Sequence, residues 1–153
     1  MATVYSTQRT NALANPVVNS KTNEIGGRVR IAHGVDEASS LASGDVIEMF
    51  KLPNGARIIS GKICHDAMGS STTLSVGHAA YVNSAGTTVA ADADEFKTAA
   101  ASTSAQCADI ANFLGRGSGI EIDANEDGYI VTATMGGAAG TGTIEVTMLY
   151  ALD

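Results

Sequence analysis

The stretch Asp45 to His78, DVIEMFKLPNGARIISGKICHDAMGSSTTLSVGH, decides the fold. Val46 to Leu52 is a mostly apolar run, and Asn54-Gly55 after Pro53 is a strong turn signal. Arg57 to His65 then alternates, with Ile59, Gly61 and Ile63 on one face and Ser60, Lys62 and Cys64 on the other. Ala67 to Ser71 supplies small residues for a second reversal, after which Leu74 and Val76 alternate with Thr73, Ser75 and Gly77. This pattern predicts three consecutive strands in an antiparallel meander. Its apolar face needs a second sheet to cover it.

Working outward, Arg28 to Gly34 sets Val29, Ile31 and His33 opposite Arg28, Arg30 and Ala32 and reads as the first strand. Asp36 to Gly44 reads as a small-residue connection with room for one helical turn. On the other side, Ala80 to Val82 is a short strand before the turn Asn83-Ser84-Ala85-Gly86. Ala90 to Ala101 is Ala-rich, carries Asp92, Asp94 and Glu95 at its start and Lys97 further on, and predicts a short helix around Phe96. Ser102 to Leu114 would continue that helix after a break, through Ile110, Phe113 and Leu114, before a flexible loop at Gly115 to Gly119.

Ile120 to Ile122 is a brief strand. Tyr129 to Met135 and Thr143 to Tyr150 are the last two, joined by GGAAGTG at Gly136 to Gly142 as a hairpin loop. In the final strand Ile144, Val146, Met148 and Tyr150 are expected inward. Seven or eight strands with turns every 8 to 12 residues or so predict an all-β fold, a jelly-roll-like antiparallel β-sandwich with one short helical segment.

Residues 1–27 are polar and lack sustained periodicity, so the domain organisation is an extended N-terminal arm followed by a sandwich over residues 28–153. The expected role of the arm is to clamp a neighbouring subunit, with a floppy terminus as the alternative. Its expected anchors are Tyr5, Leu13, Val17 and Val18, in a segment interrupted by Pro16, which is counted with them at the interface.

Nine basic against sixteen acidic residues give a formal charge of −7, which argues against nucleic acid or anionic lipid as partner. No run approaches the roughly 18 apolar residues of a membrane span, and the N-terminus lacks the apolar centre of a secretory signal. The expectation is a soluble chain kept in its compartment of synthesis. Cys64 and Cys107 are too few for a disulfide framework, so reduced thiols are expected, with one long-range bridge as the alternative.

The motif that comes nearest to chemistry is DANEDG, where Asp123, Asn125, Asp127 and Gly128 match the first half of a calcium loop. The twelfth position is Thr134 rather than a bidentate Glu, so an acidic turn is the simpler reading and these residues stand only as a weak metal candidate. Cys64, His65, Asp66 and His78 invite a nucleophile or zinc reading. Neighbours in a strand point to opposite faces, and no further ligands follow at zinc spacing. The Gly-rich segments at Gly26, Gly115 and Gly136 lack the Lys-Ser/Thr and helix of a phosphate loop. No catalytic residue and no cofactor is expected, and the chain does not read as an enzyme.

The C-terminal order of acidic turn, Thr-rich strand, Gly/Ala loop and Gly-Thr-Ile-Glu-Val strand, DANEDGYIVTATMGGAAGTGTIEVTMLYALD, together with LPNGARIISGKI and TTLSVGH, resembles the capsid decoration, or cement, proteins of tailed phages. The resemblance spans about Arg28 to Asp153. It implies a virion protein, often trimeric, that sits on the capsid exterior and bridges major capsid subunits after synthesis in the host cytoplasm. It carries no catalytic or contact residue over. The alternatives are a trimeric tail-fibre or receptor- or glycan-binding module, for which four Tyr and three Phe offer few platforms, and a head-to-tail connector component.

Overall fold

The computed structural model describes residues 4–110 and 119–152. After one helix, α1 (Thr7–Leu13), come the strands β1 (Arg28–Leu41), β2 (Val46–Leu52), β3 (Arg57–His65), β4 (Thr72–His78), β5 (Tyr81–Val82), β6 (Thr88–Val89), β7 (Asp92–Ala101), β8 (Gln106–Asp109), β9 (Tyr129–Gly137) and β10 (Gly140–Leu152). They form two four-stranded antiparallel sheets, ordered β1-β10-β3-β8 and β2-β9-β4-β7, and a small β5-β6 ribbon. Fully buried Leu52, Leu74, Val76, Phe96, Val131 and Met135 of the second sheet face Ile58, Ile63, Ile144, Val146 and Met148 of the first. This is the all-β sandwich expected.

The strands of the deciding stretch lie where expected, but the meander does not exist. β2 and β4 flank β9 in one sheet, while β3 lies between β10 and β8 in the other. Pro53 to Ala56 is therefore an arch between layers. Gly55, at φ +77°, donates its N–H to Ile122 O at 2.9 Å, and Asn54 Oδ1 accepts from Ala124 N at 3.3 Å. The turn is thus tied to a distant segment, and Leu52 and Ile58 enter the core from opposite sheets. The C-terminal pair repeats the arrangement. β9 belongs to one sheet and β10 to the other, so Gly136 to Gly142 is a corner between layers rather than a hairpin loop. Alternation reports that one face is buried; it carries no information about which strand lies alongside.

The helix expected over Ala90 to Ala101 is strand β7, paired with β4 through Thr73↔Ala101, Leu74↔Ala100, Val76↔Lys97 and His78↔Asp92. Helix preference among such residues amounts to a few tenths of a kcal/mol each. Burying Phe96 completely and pairing the open edge of β4 outweigh it. Asp92 and Asp94 make no helix start; Asp92 Oδ1 accepts from Asp94 N at 3.0 Å inside a bulge. That bulge crosses over Gly77, where a Cβ would collide with the Asp92 carbonyl oxygen. The continued helix fails too, since Gln106–Asp109 is β8; Phe113, Leu114 and most of the expected glycine loop lie outside the described residues.

Smaller corrections share one cause, a register that only pairing defines. β1 runs on to Leu41, so Asp36 to Gly44 is mostly strand. A bulge opposite Leu149 and Tyr150 puts Ile58 into the core and turns Ile59 outward. Ile120 to Ile122 forms no strand beyond a single bridge between Glu121 and Arg57.

Candidate interface surfaces

The expected arm is not wholly extended. Ser6 caps α1, with its Oγ accepting from Arg9 N at 3.3 Å, and the helix buries no residue. Tyr5, Leu13, Pro16, Val17 and Val18 are all exposed. From Lys21 onward the arm is fastened to the sandwich. Lys21 Nζ lies 2.7 Å from Glu121 Oε1, Asn23 Nδ2 donates to Gly55 O at 2.9 Å, and Arg57 bridges Glu121 at 2.8 Å and Glu24 at 3.6 Å.

The Lys21 hydrogen bond, helped by the nearby Arg57 charge, holds the Glu121 carboxyl below its ordinary pKa against the opposing effect of partial burial. A folded-state pKa below the unfolded one gives stabilisation that is present above the usual carboxylate range and lost as pH falls through the lowered value. Acidification should therefore release residues 21–25 first. Exchange of the Ile25 amide, which donates to Lys21 O at 3.2 Å, should accelerate relative to its intrinsic rate as pH falls below the usual carboxylate range and through the lowered Glu121 value. Persistence of that acceleration in Glu121→Gln would assign it to another group.

The outer face of the β1-β10-β3-β8 sheet carries a second exposed apolar surface. Val29, Ile31 and Val35 of β1 point outward, as do Ile59 of β3 and Leu149 of β10. Inward-facing positions of β1 include the small residues Ala32, Gly34 and Ala38 beside half-buried Asp36, and Gly34 packs against the Met49 backbone. The alternation in Arg28 to Gly34 separated these two faces, but an apolar stripe on an edge strand reads as core in sequence, and so this surface was missed.

Cys64 and Cys107 are joined, against the expectation of reduced thiols. They are direct partners in the β3/β8 ladder, with Cα atoms 4.0 Å apart. No spacing rule reveals this, because 43 residues separate them and only the sheet makes them neighbours. The sulfur of Cys64 is thus neither nucleophile nor ligand. His65, on β3, and His78, on β4, each place Nδ1 2.8 Å from a neighbouring carbonyl oxygen, Asp66 O and Ala79 O, and sit in different sheets.

Of the calcium-loop residues, Asn125 and Asp127 meet and Asp123 turns away. Asp127 N donates to Asn125 Oδ1 at 3.0 Å and Asn125 Nδ2 to Asp127 Oδ2 at 3.1 Å, while Asp123 Oδ1 accepts from Ser84 N at 3.2 Å. The Ser84 hydrogen bonds lower the Asp123 pKa. No group of three His, Cys, Asp or Glu side chains suited to a metal ion occurs among the described residues.

No family model and no curated protein sequence matches the chain. Its fold is found in solved structures. It is similar to a chain in the capsid asymmetric unit of cyanophage Pam1, with 19% identity, all of both chains covered and a TM-score of 0.60. It is also similar to one in the capsid of Ralstonia phage GP4, with 20% identity, 83% of this chain and 86% of that one covered, and a TM-score of 0.58. A chain in the acidic stable capsid of Helicobacter pylori bacteriophage KHP30 follows at 16% identity, with coverages of 81% and 87% and a TM-score of 0.51. The sandwich described here is thus a fold that chains of phage capsids also adopt.

Proposed function

We propose that this chain is a non-enzymatic virion protein that decorates the exterior of a phage capsid and stabilises it by bridging major capsid subunits. The observation that carries this reading is the end-to-end correspondence with a chain of a capsid asymmetric unit. A separate capsid chain of this size and fold suits an accessory subunit. Two apolar surfaces left bare on a single copy, the leader and the outer sheet face, are what an interface protein requires. A protein that binds the assembled lattice and not free subunits stabilises the lattice by mass action. Assembly as a homo-oligomer, a trimer by the resemblance, multiplies weak contacts through effective concentration.

Purified chain added to particles that lack it should co-sediment with them and raise their disruption temperature. Failure to co-sediment, together with binding to host cells or glycans, would move the chain to a tail fibre.

A further inference from the structure

Among the described residues, the outer face of the β1-β10-β3-β8 sheet is covered at its foot and bare above. At the foot, the Thr22 and Asn23 backbone lies over Gly27, beside the Ala151 methyl, and Ala151 is only 6% exposed. One row up the ladder, the partners Ile31 and Leu149 are 64% and 37% exposed, with Ile59 near Leu149 across the bulge. A groove of about 550 Å³ opens there, lined by Ile59, Gly61, Ile110, Thr147 and Leu149 among others. Around it, Lys62 Nζ lies 3.0 Å from Asp109 Oδ1, and His33 Nδ1 lies 3.6 Å from Glu145 Oε1 and 2.9 Å from Thr147 Oγ1. Such a surface fits an apolar occupant without charge.

The chain contains such an occupant. Thr10 to Ser20, TNALANPVVNS, has no charged residue, and its Leu13, Val17 and Val18 are exposed. On its own copy the leader runs elsewhere, with Gln8 of α1 beside Glu24, Ile25 and Arg57. Long-range charge draws a leader to an acidic body, a neighbour's as well as its own. Residues up to Asn23 include Arg9 and Lys21 and no acid, whereas the remainder holds seven basic and all sixteen acidic residues, a net −9. Two bodies repel each other, but each attracts the other's leader.

We propose that Thr10 to Ser20 of a second copy of this chain docks on the bare part of this face, its Leu13, Val17 and Val18 covering Ile31, Ile59 and Leu149. The proposal deepens the interface reading by naming the clamped neighbour, and its test needs no capsid. Each copy gives its leader to one neighbour and receives another's, a heterologous contact that closes into a ring when the rotation permits.

The mass of the full chain in solution, measured by light scattering over a concentration series, tests it. Wild type should be oligomeric. Ile31→Asp/Leu149→Asp and Val17→Asp/Val18→Asp should each weaken association roughly a hundredfold or more, since each places unpaired charge in the contact. Val17 and Val18 are 62% and 50% exposed, so the melting temperature of the diluted leader variant should stay near that of wild type. A synthetic Thr10-to-Ser20 peptide should dissociate the wild-type oligomer, a measurement that needs no variant to fold. A wild-type chain still monomeric at roughly 100 µM, where a micromolar contact would be nearly saturated, overturns the proposal. So does an oligomer that survives the leader variant, because the face then pairs with something other than the leader. Particle binding is scored separately: a leader-exchanged oligomer that ignores capsids defeats the decoration reading and leaves this contact standing.

Discussion

Thermal unfolding of the oxidised chain should occur roughly 8–16 °C above that of Cys64→Ala/Cys107→Ala or of the reduced protein. The bond closes a loop over 43 residues of sequence separation, for which loss of unfolded-state entropy corresponds to about 4 kcal/mol. In a chain of this length each kcal/mol moves the midpoint by about 2–4 °C. The bond joins β8 to β3 at one edge of the first sheet, and the loop it closes contains β4 to β7, half of the second sheet among them. β8 contributes four residues of ladder at that edge, too few to hold it firmly alone. Cys107 is exposed, so truncation removes the tether with little loss of packing. Scans with and without reductant check this. A shift below about 3 °C in wild type would show that β8 is held by its ladder instead, and a reductant effect in the double variant would point to another cause.

Phe96→Ala should cost about 3–5 kcal/mol in denaturant unfolding, and Phe96→Leu less than about 1.5. Phe96 is fully buried on β7, with its ring 6.1 Å from that of Tyr129, which in turn lies 4.9 Å from both His78 and Tyr81. Removing it opens a cavity against a cluster whose other members are fixed by two strands and the β5-β6 ribbon. On a helix lying on the sandwich edge, the same side chain would be partly exposed and its loss would cost about 1 kcal/mol. The equilibrium measurement therefore separates strand from helix for this segment as well as testing the core.

That segment shows why part of the chain was legible and part was not. β2 and β3 were read to their ends, and Ile144, Val146 and Met148 were placed inward, because period-two alternation is a local consequence of one buried face. The run ADADEFKTAAA carries no such alternation, and its local preference points to a helix. What makes it a strand is the unpaired edge of β4, built from residues some twenty positions away. The candidate surfaces divide in the same manner. Tyr5, Leu13, Val17 and Val18 stood out as apolar residues in a polar leader, whereas Ile59 was grouped with Ile63 until the bulge turned it outward, and no local pattern marked Ile31 and Leu149 as a bare stripe.

The sequence by itself determined that this is an all-β chain, where most long strands begin, and that its leader differs in charge and character from its body. Composition and periodicity are local properties, and local steric and solvation preferences suffice to express them. Tertiary structure alone decided that β2, β3 and β4 alternate between sheets, that Cys64 meets Cys107, and which apolar stripe stays bare. Each of these depends on which distant strand completes a backbone ladder. Backbone hydrogen-bonding groups are nearly the same at every residue, so the identity of the partner is settled by the packing of the whole sandwich and by no residue pattern within the strand.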